Sequence, residues 1–200
     1  MAMSFQMTEH AMASALRLIA ATLERLGIPY VVGGSLASSC RGMARFTMDI
    51  DIVAQIEPGQ AERLSAVLGP DWYADAAQIG DAISAGRAFN LIHIPTSFKV
   101  DVFPAIGEFE LSQLKRGTQE TLEVLGETGV YPVATAEDIL LAKLQWFRDG
   151  GETSDREWAD ITGIVALNPG LDRAYVEAWA TQLGVRELLT KALADGGRQE

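Results

Sequence analysis

The sequence predicts an α/β protein: a small mixed β-sheet flanked by helices, followed by a C-terminal helical bundle. Three observations predict it. Between residues 28 and 134, short apolar or alternating runs bounded by Gly, Pro and Ser read as strands, with helical segments among them. From residue 136 onward, apolar residues recur only at three- and four-residue steps. The totals, 200 residues with 48% hydrophobic and 22% charged, suit one compact domain or a small domain with a helical extension. A core spanning 1–134 and a helical region over 135–200 packed on it are the expected divisions.

The elements follow in order. Leu16, Ile19, Leu23 and Leu26 mark a helix over 8–26 that Gly27 ends. "IPYVV" is a short buried strand, and "GGSLASSCRG" is a glycine turn opening a helix of small residues with Ser35 as its expected N-cap. "RFTMDIDIVA" is the next strand, Pro58 starts a helix to about Leu68, and 75–86 reads as a further helix. "AFNLIHI" and "FKVDVFP" are strands joined by a Pro95-Thr96-Ser97 turn, and "TLEVLG" with "VYPVA" forms another pair. Helices over 136–149, 155–167, 172–183 and 185–194 complete the chain. Thr135 and Ser154 are their N-caps at two points, and Glu157 is placed for a capping box with Ser154.

Composition excludes several classes. The net charge of −11, from 27 acids against 16 bases, disfavours a large non-specific nucleic-acid surface. Cys40 is the sole cysteine, and His10 and His93 stand far apart, so neither a disulfide nor a thiolate or histidine metal site is expected. Arg17, Glu24 and Arg25 interrupt the N-terminal apolar stretch, which therefore reads neither as a signal peptide nor as a membrane span. A soluble cytoplasmic protein is the expectation.

Asp49 and Asp51 are unusual in a strand, where aspartate is depleted. A half-buried strand with one wet face would show the same alternation, with both acids on one side and Ile50 and Ile52 on the other. Two neighbouring features change its meaning. Gly33-Gly34-Ser35 links a strand to a helix start, where free N–H groups and the helix dipole favour an anion and glycine permits close approach. "FKVDVFP" supplies Asp101 on another strand, with Lys99 on the same face. Three clustered carboxylates repel one another unless a cation intervenes, and oxygen ligands alone select magnesium or manganese. Arg45 and Thr47 share the parity of Asp49 and Asp51 and are placed to reach phosphates, although Arg45 could equally neutralise its acidic neighbours. Lys143 interrupts the apolar line Ile139–Lys143–Phe147, so its ammonium either snorkels to solvent or enters a cleft facing the acids. His93, Cys40 and the aromatics Trp146, Phe147, Trp158 and Trp179 read as structural or packing residues, and Lys115-Arg116 as a solvated face.

Gly33-Gly34-Ser35, Asp49-Ile50-Asp51 and Asp101 together resemble the signature of the nucleotidyltransferase superfamily that shares the DNA polymerase beta fold. Within it, "RFTMDIDIV", "KVD", "ATAEDILLAKLQW" and "DREWADI" are similar to the minimal bacterial branch of AbiEii-type and MenT toxins, over roughly residues 28–165. The resemblance implies transfer of a nucleoside monophosphate from a nucleoside triphosphate to an acceptor hydroxyl, on a transfer RNA end, a protein or a small molecule. It implies Asp49, Asp51 and Asp101 as catalytic and metal residues, with Asp101 a ligand or base. Gly33, Gly34, Ser35, Arg45, Thr47, Lys99 and Lys143 would hold the nucleotide. Arg156 and Asp160 fall on the toxins' later motif, where a denser lysine and arginine run usually precedes the aspartate. Because minimal members pair with helical partner proteins, a non-catalytic antitoxin-like or regulatory module on the same fold is the competing expectation.

Overall fold

The computed structural model describes residues 2–40, 49–124 and 127–197. Helix α1 (Ala2–Leu26) leads through Gly27, at φ 66°, into β1 (Tyr30–Val32), α2 (Gly34–Cys40) and β2 (Asp49–Ala54). A 3-10 turn (Pro58–Gln60) opens α3 (Ala61–Leu68), followed by β3 (Trp72–Tyr73), α4 (Ala76–Ser84), β4 (Phe89–His93) and β5 (Phe98–Pro104). Then come α5 (Glu108–Arg116), β6 (Thr118–Val124), β7 (Glu127–Val133), and helices α6 (Ala136–Asp149), α7 (Asp155–Leu167), α8 (Arg173–Gln182) and α9 (Arg186–Gly196).

Among the described residues, seven strands form one sheet in the order β3-β4-β5-β2-β1-β7-β6. It is mixed: β2 runs parallel to β5 and β1 parallel to β7, while the remaining pairs are antiparallel. The α/β class and mixed sheet expected from the sequence are what the chain forms. Period-two alternation divides the central strands cleanly. Ile50, Ile52, Val100 and Val102 are buried on one face, while Asp49, Asp51, Lys99 and Asp101 stand on the other. Helix α1 packs on β5, β6, β7 and α3, and its Leu16, Ile19 and Leu23 join the same hydrophobic cluster as Leu140, Leu144 and Ile161 of the C-terminal helices. Thr135 and Ser154 accept the N–H groups of Asp138 and Glu157, as N-caps should.

Three local expectations change. The first hydrogen bond of α2 runs from Ala37 N–H to the Gly33 carbonyl, so Gly33 rather than Ser35 holds the capping position. The Gly33 N–H still pairs with the Asp51 carbonyl, which keeps the chain in the sheet one residue longer and turns it abruptly at Gly34. Strand β3 has two residues, too few to show a period. Helix α5 has no counterpart in the sequence pattern because its buried positions are Phe109 and the polar Gln113, which breaks the apolar stripe. At its end Lys115 is exposed as expected, whereas Arg116 pairs with Glu137 at 3.2 Å and lies over the Tyr175 ring at 3.8 Å.

Candidate active site

Parallel pairing of β2 with β5 sets Asp49 opposite Lys99 and Asp51 opposite Asp101. One pleat therefore carries all four side chains into the same space. Lys99 Nζ lies 2.8 Å from Asp101 Oδ2 and 3.9 Å from Asp49 Oδ1, so this ammonium sits among the acids as their counter-charge. The hydrogen bond to Asp101 holds the Lys99 pKa above its ordinary value. Sequence reasoning expects three carboxylates gathered within one cation's reach. Among the described residues no group of three acidic, histidine or cysteine side chains has that arrangement. Lys99 stands among these acids, closest to Asp101, while Asp49 and Asp51 line the cleft.

Asp51 is the most strained of these groups electrostatically. Burial, then the charges of Asp101 and Asp49, push its pKa up to about 6 even though Lys143 and Lys99 pull it down. It also lies against the glycine turn. Gly34 has φ 58°, in the left-handed region, and a Cβ there would overlap the Asp51 carboxylate. Glycine is required at 34 on both counts. The oxygen-only donors, their excess negative charge and the position of Asp49 and Asp51 on an open cleft fit a hard divalent cation.

That cleft, about 450 Å³, runs between the sheet and helices α6 and α7. Ser35, Asp49 and Asp51 line one wall, and Lys143, Arg156 and Asp160 line the other. Lys143 is only 9% exposed, and its Nζ meets Asp160 Oδ2 at 3.3 Å. The lysine does not extend into bulk water; it enters the cleft, as one of the two sequence readings holds. Asp160 anchors it there across the α6–α7 interface. Gly33 lies at the inner end of the same region, and Arg45 and Thr47 fall outside the described residues.

Several residues escape the sequence reading. Asp138 is fully buried in α6, receiving hydrogen bonds from Tyr175 Oη at 2.6 Å and Thr135 Oγ1 at 2.9 Å, with Arg116 Nε 3.6 Å away. Burial pushes the pKa of Asp138 up, against the pull of those partners. This network ties α5, α6 and α8 together behind the cleft. Trp146, expected as a core or inter-helix packing residue, is 40% exposed and lines the cleft, with its ring centroid 5.5 Å from that of Phe103. Phe147 and Trp158 do pack together, at 5.2 Å. His93 is structural: its Nδ1 hydrogen-bonds Thr96 Oγ1 at 2.7 Å and its ring lies 5.0 Å from Trp72.

The fold is similar to that of solved nucleotidyltransferase structures. The chain aligns with the antibiotic-resistance factor ANT(2'')-Ia in its solution structure, at TM-score 0.52 and 14% identity, covering 96% of this chain and 97% of that one. The crystal structure of ANT(2'')-Ia in complex with adenylyl-2''-tobramycin aligns at TM-score 0.50 and 14% identity, covering 87% and 97%. An antigenic nucleotidyltransferase-like protein from Paracoccidioides brasiliensis aligns at 20% identity over 96% and 94%, with a TM-score of 0.45. No family model and no curated protein matches the sequence. Among the described residues, no helix is long and apolar enough to cross a membrane.

Proposed function

We propose that the protein is a nucleotidyltransferase that moves a nucleoside monophosphate from a nucleoside triphosphate to an acceptor hydroxyl. The observation that carries this reading is the placement of Asp51 against Gly34, with Asp49 beside it and Lys143 across one cleft. In the reaction the acceptor oxygen attacks the α-phosphorus, the bond from that phosphorus to the bridging β-oxygen breaks, and pyrophosphate leaves. Asp49 and Asp51 are the residues that would hold magnesium or manganese. When bound, such an ion polarises the phosphates and offsets charge on the departing pyrophosphate.

The chain's own residues divide the remaining work. The turn at Gly34 and Ser35 stands on the cleft at the start of α2 and is assigned to the phosphates of the nucleotide. Lys143, held by Asp160 and lacking room to swing away, presents a fixed positive charge to the triphosphate, with Arg156 on the same wall. Asp101 takes the proton of the acceptor hydroxyl. Lys99 must release it first, so the Lys99–Asp101 contact belongs to the free enzyme. Solved ANT(2'')-Ia carries an adenylylated small molecule, which favours a compact hydroxyl-bearing acceptor as the first class to test. Membership of the AbiEii and MenT toxin branch, with a cognate partner protein, is a finer proposal resting on the motifs around Asp49, Asp101 and Lys143.

The test is incubation with each α-labelled nucleoside triphosphate and magnesium in cell extract, followed by identification of the labelled product. The reading expects a labelled acceptor with wild type and none with Asp49→Asn. Label confined to unreacted nucleotide with every triphosphate tested would reject it.

A further inference from the structure

Two lysines face the acids in opposite situations. Lys143 is nearly buried, with its Nζ 3.3 Å from Asp160 Oδ2, so packing and an ion pair fix it in place. The Lys99 side chain is 42% exposed, yet its Nζ lies 2.8 Å from Asp101 Oδ2 and 3.9 Å from Asp49 Oδ1. Parallel register sets Lys99 opposite Asp49, and Asp101 follows two residues on along the same strand, so both acids draw the ammonium onto their face. An ion pair this open to water is weak and readily exchanged. On the other side of β5, Ile92 of β4 stands opposite Lys99 and Tyr73 of β3 stands opposite Ile92, both exposed. That apolar row gives the lysine stem a second place to lie, with its ammonium in water.

An ammonium and a divalent ion want the same carboxylate oxygens, and two cations a few ångströms apart repel each other. A free divalent ion therefore meets a face on which one positive charge is already in place. An ion carried on a triphosphate arrives with net negative charge, and Lys99 no longer opposes it. Building on the triphosphate reading above, we propose that Lys99 is a built-in competitor of the metal. It keeps free divalent ions off Asp49 and Asp51 in the resting protein, and it yields when the ion comes bound to the nucleotide. The consequence is an order of events: metal and nucleotide load together, and the acids are not charged with metal alone. Withdrawal of Lys99 also frees Asp101 for the acceptor. Lys143 cannot act in this way, because it has no room to leave.

The test compares manganese(II) alone, followed by loss of the free ion's electron paramagnetic resonance signal, with calorimetric titration by the preformed manganese–tripolyphosphate complex, using the full chain in both. Lys99→Met and Lys99→Gln are each expected to bind manganese alone about fivefold more tightly than wild type, the shift that an exposed ion pair imposes on a competing equilibrium. Both should bind the complex no more tightly than wild type. Manganese should also raise their melting temperatures more than that of wild type. Lys99→Arg keeps the charge and should behave as wild type. Equal manganese affinity in wild type and both neutral variants overturns the proposal. A gain of the same size for the free ion and the complex also overturns it, since losing any background positive charge would give that. Either result leaves the transferase reading intact. Failure of wild type and variants alike to bind both the ion and the complex overturns both.

Discussion

Replacing Asp51 with asparagine should make the protein more stable at neutral pH, and the structure gives the size of the effect. The Asp51 carboxyl titrates near 6 in the folded chain against an ordinary value of 3.8, because burial and the Asp101 and Asp49 charges disfavour its ionised form. Below pH 3.8 it is protonated whether the chain is folded or not, and no penalty exists. Between pH 3.8 and about 6 the unfolded chain ionises it while the folded chain keeps it protonated, so stability falls across that window and levels off above about 6. A difference of roughly two pH units corresponds to about 3 kcal/mol at pH 7.5. The amide of the Asp51→Asn variant carries no such charge. The variant should therefore melt about 6–12 °C above wild type at pH 7.5 in metal-free buffer, given the usual scaling for a chain of this size. The gap should close by about pH 4. Thermal melts followed by circular dichroism across pH 4 to 8 measure it. A variant equal to or less stable than wild type at pH 7.5 would refute the reasoning, because the carboxylate would then be a stabilising group.

Four further outcomes follow from the geometry. Gly34→Ala places a side chain at φ 58° against the Asp51 carboxylate, and should cost more than about 1 kcal/mol of stability in denaturant titration while abolishing tripolyphosphate binding. Lys143→Ala should eliminate transfer activity, and Lys143→Arg should restore only part of it because a planar fork replaces a compact charge. Asp160→Asn leaves the nearly buried Lys143 without its acidic partner from α7, and should destabilise the chain by about 3 kcal/mol in urea melts. Tyr175→Phe removes a donor to the fully buried Asp138, and should cost about 2 kcal/mol by the same measurement.

The sheet is legible in the sequence where side chains alternate strictly. Asp49-Ile50-Asp51-Ile52 and Lys99-Val100-Asp101-Val102 each declare two faces, and Ile50, Ile52 and Val100 are indeed fully buried. Parallel pairing then brings the acids of the two strands into register, a step that pattern reading cannot take alone. What stays hidden depends on contacts between distant segments. The ammonium that divides the three acids comes from within the "KVD" motif itself, but its choice of Asp101 over Asp51 follows from side-chain reach. Lys143 could go to solvent or to the cleft from its position on α6, and Asp160, seventeen residues on, makes the difference. Helix α5 is hard to see because the polar Gln113 occupies a buried position and breaks its apolar stripe. Trp146 misleads for the converse reason, since a large aromatic on a helical stripe reads as core even when a cleft opens above it.

The central claim is transfer of a nucleoside monophosphate, and parallel reactions with α-labelled and γ-labelled triphosphate test it most directly. With magnesium and the acceptor-containing extract fraction, α-label should move to the acceptor while γ-label appears only in pyrophosphate, and Asp49→Asn should abolish both changes. Transfer of the γ-label to the acceptor, or release of inorganic phosphate in place of pyrophosphate, would contradict the account.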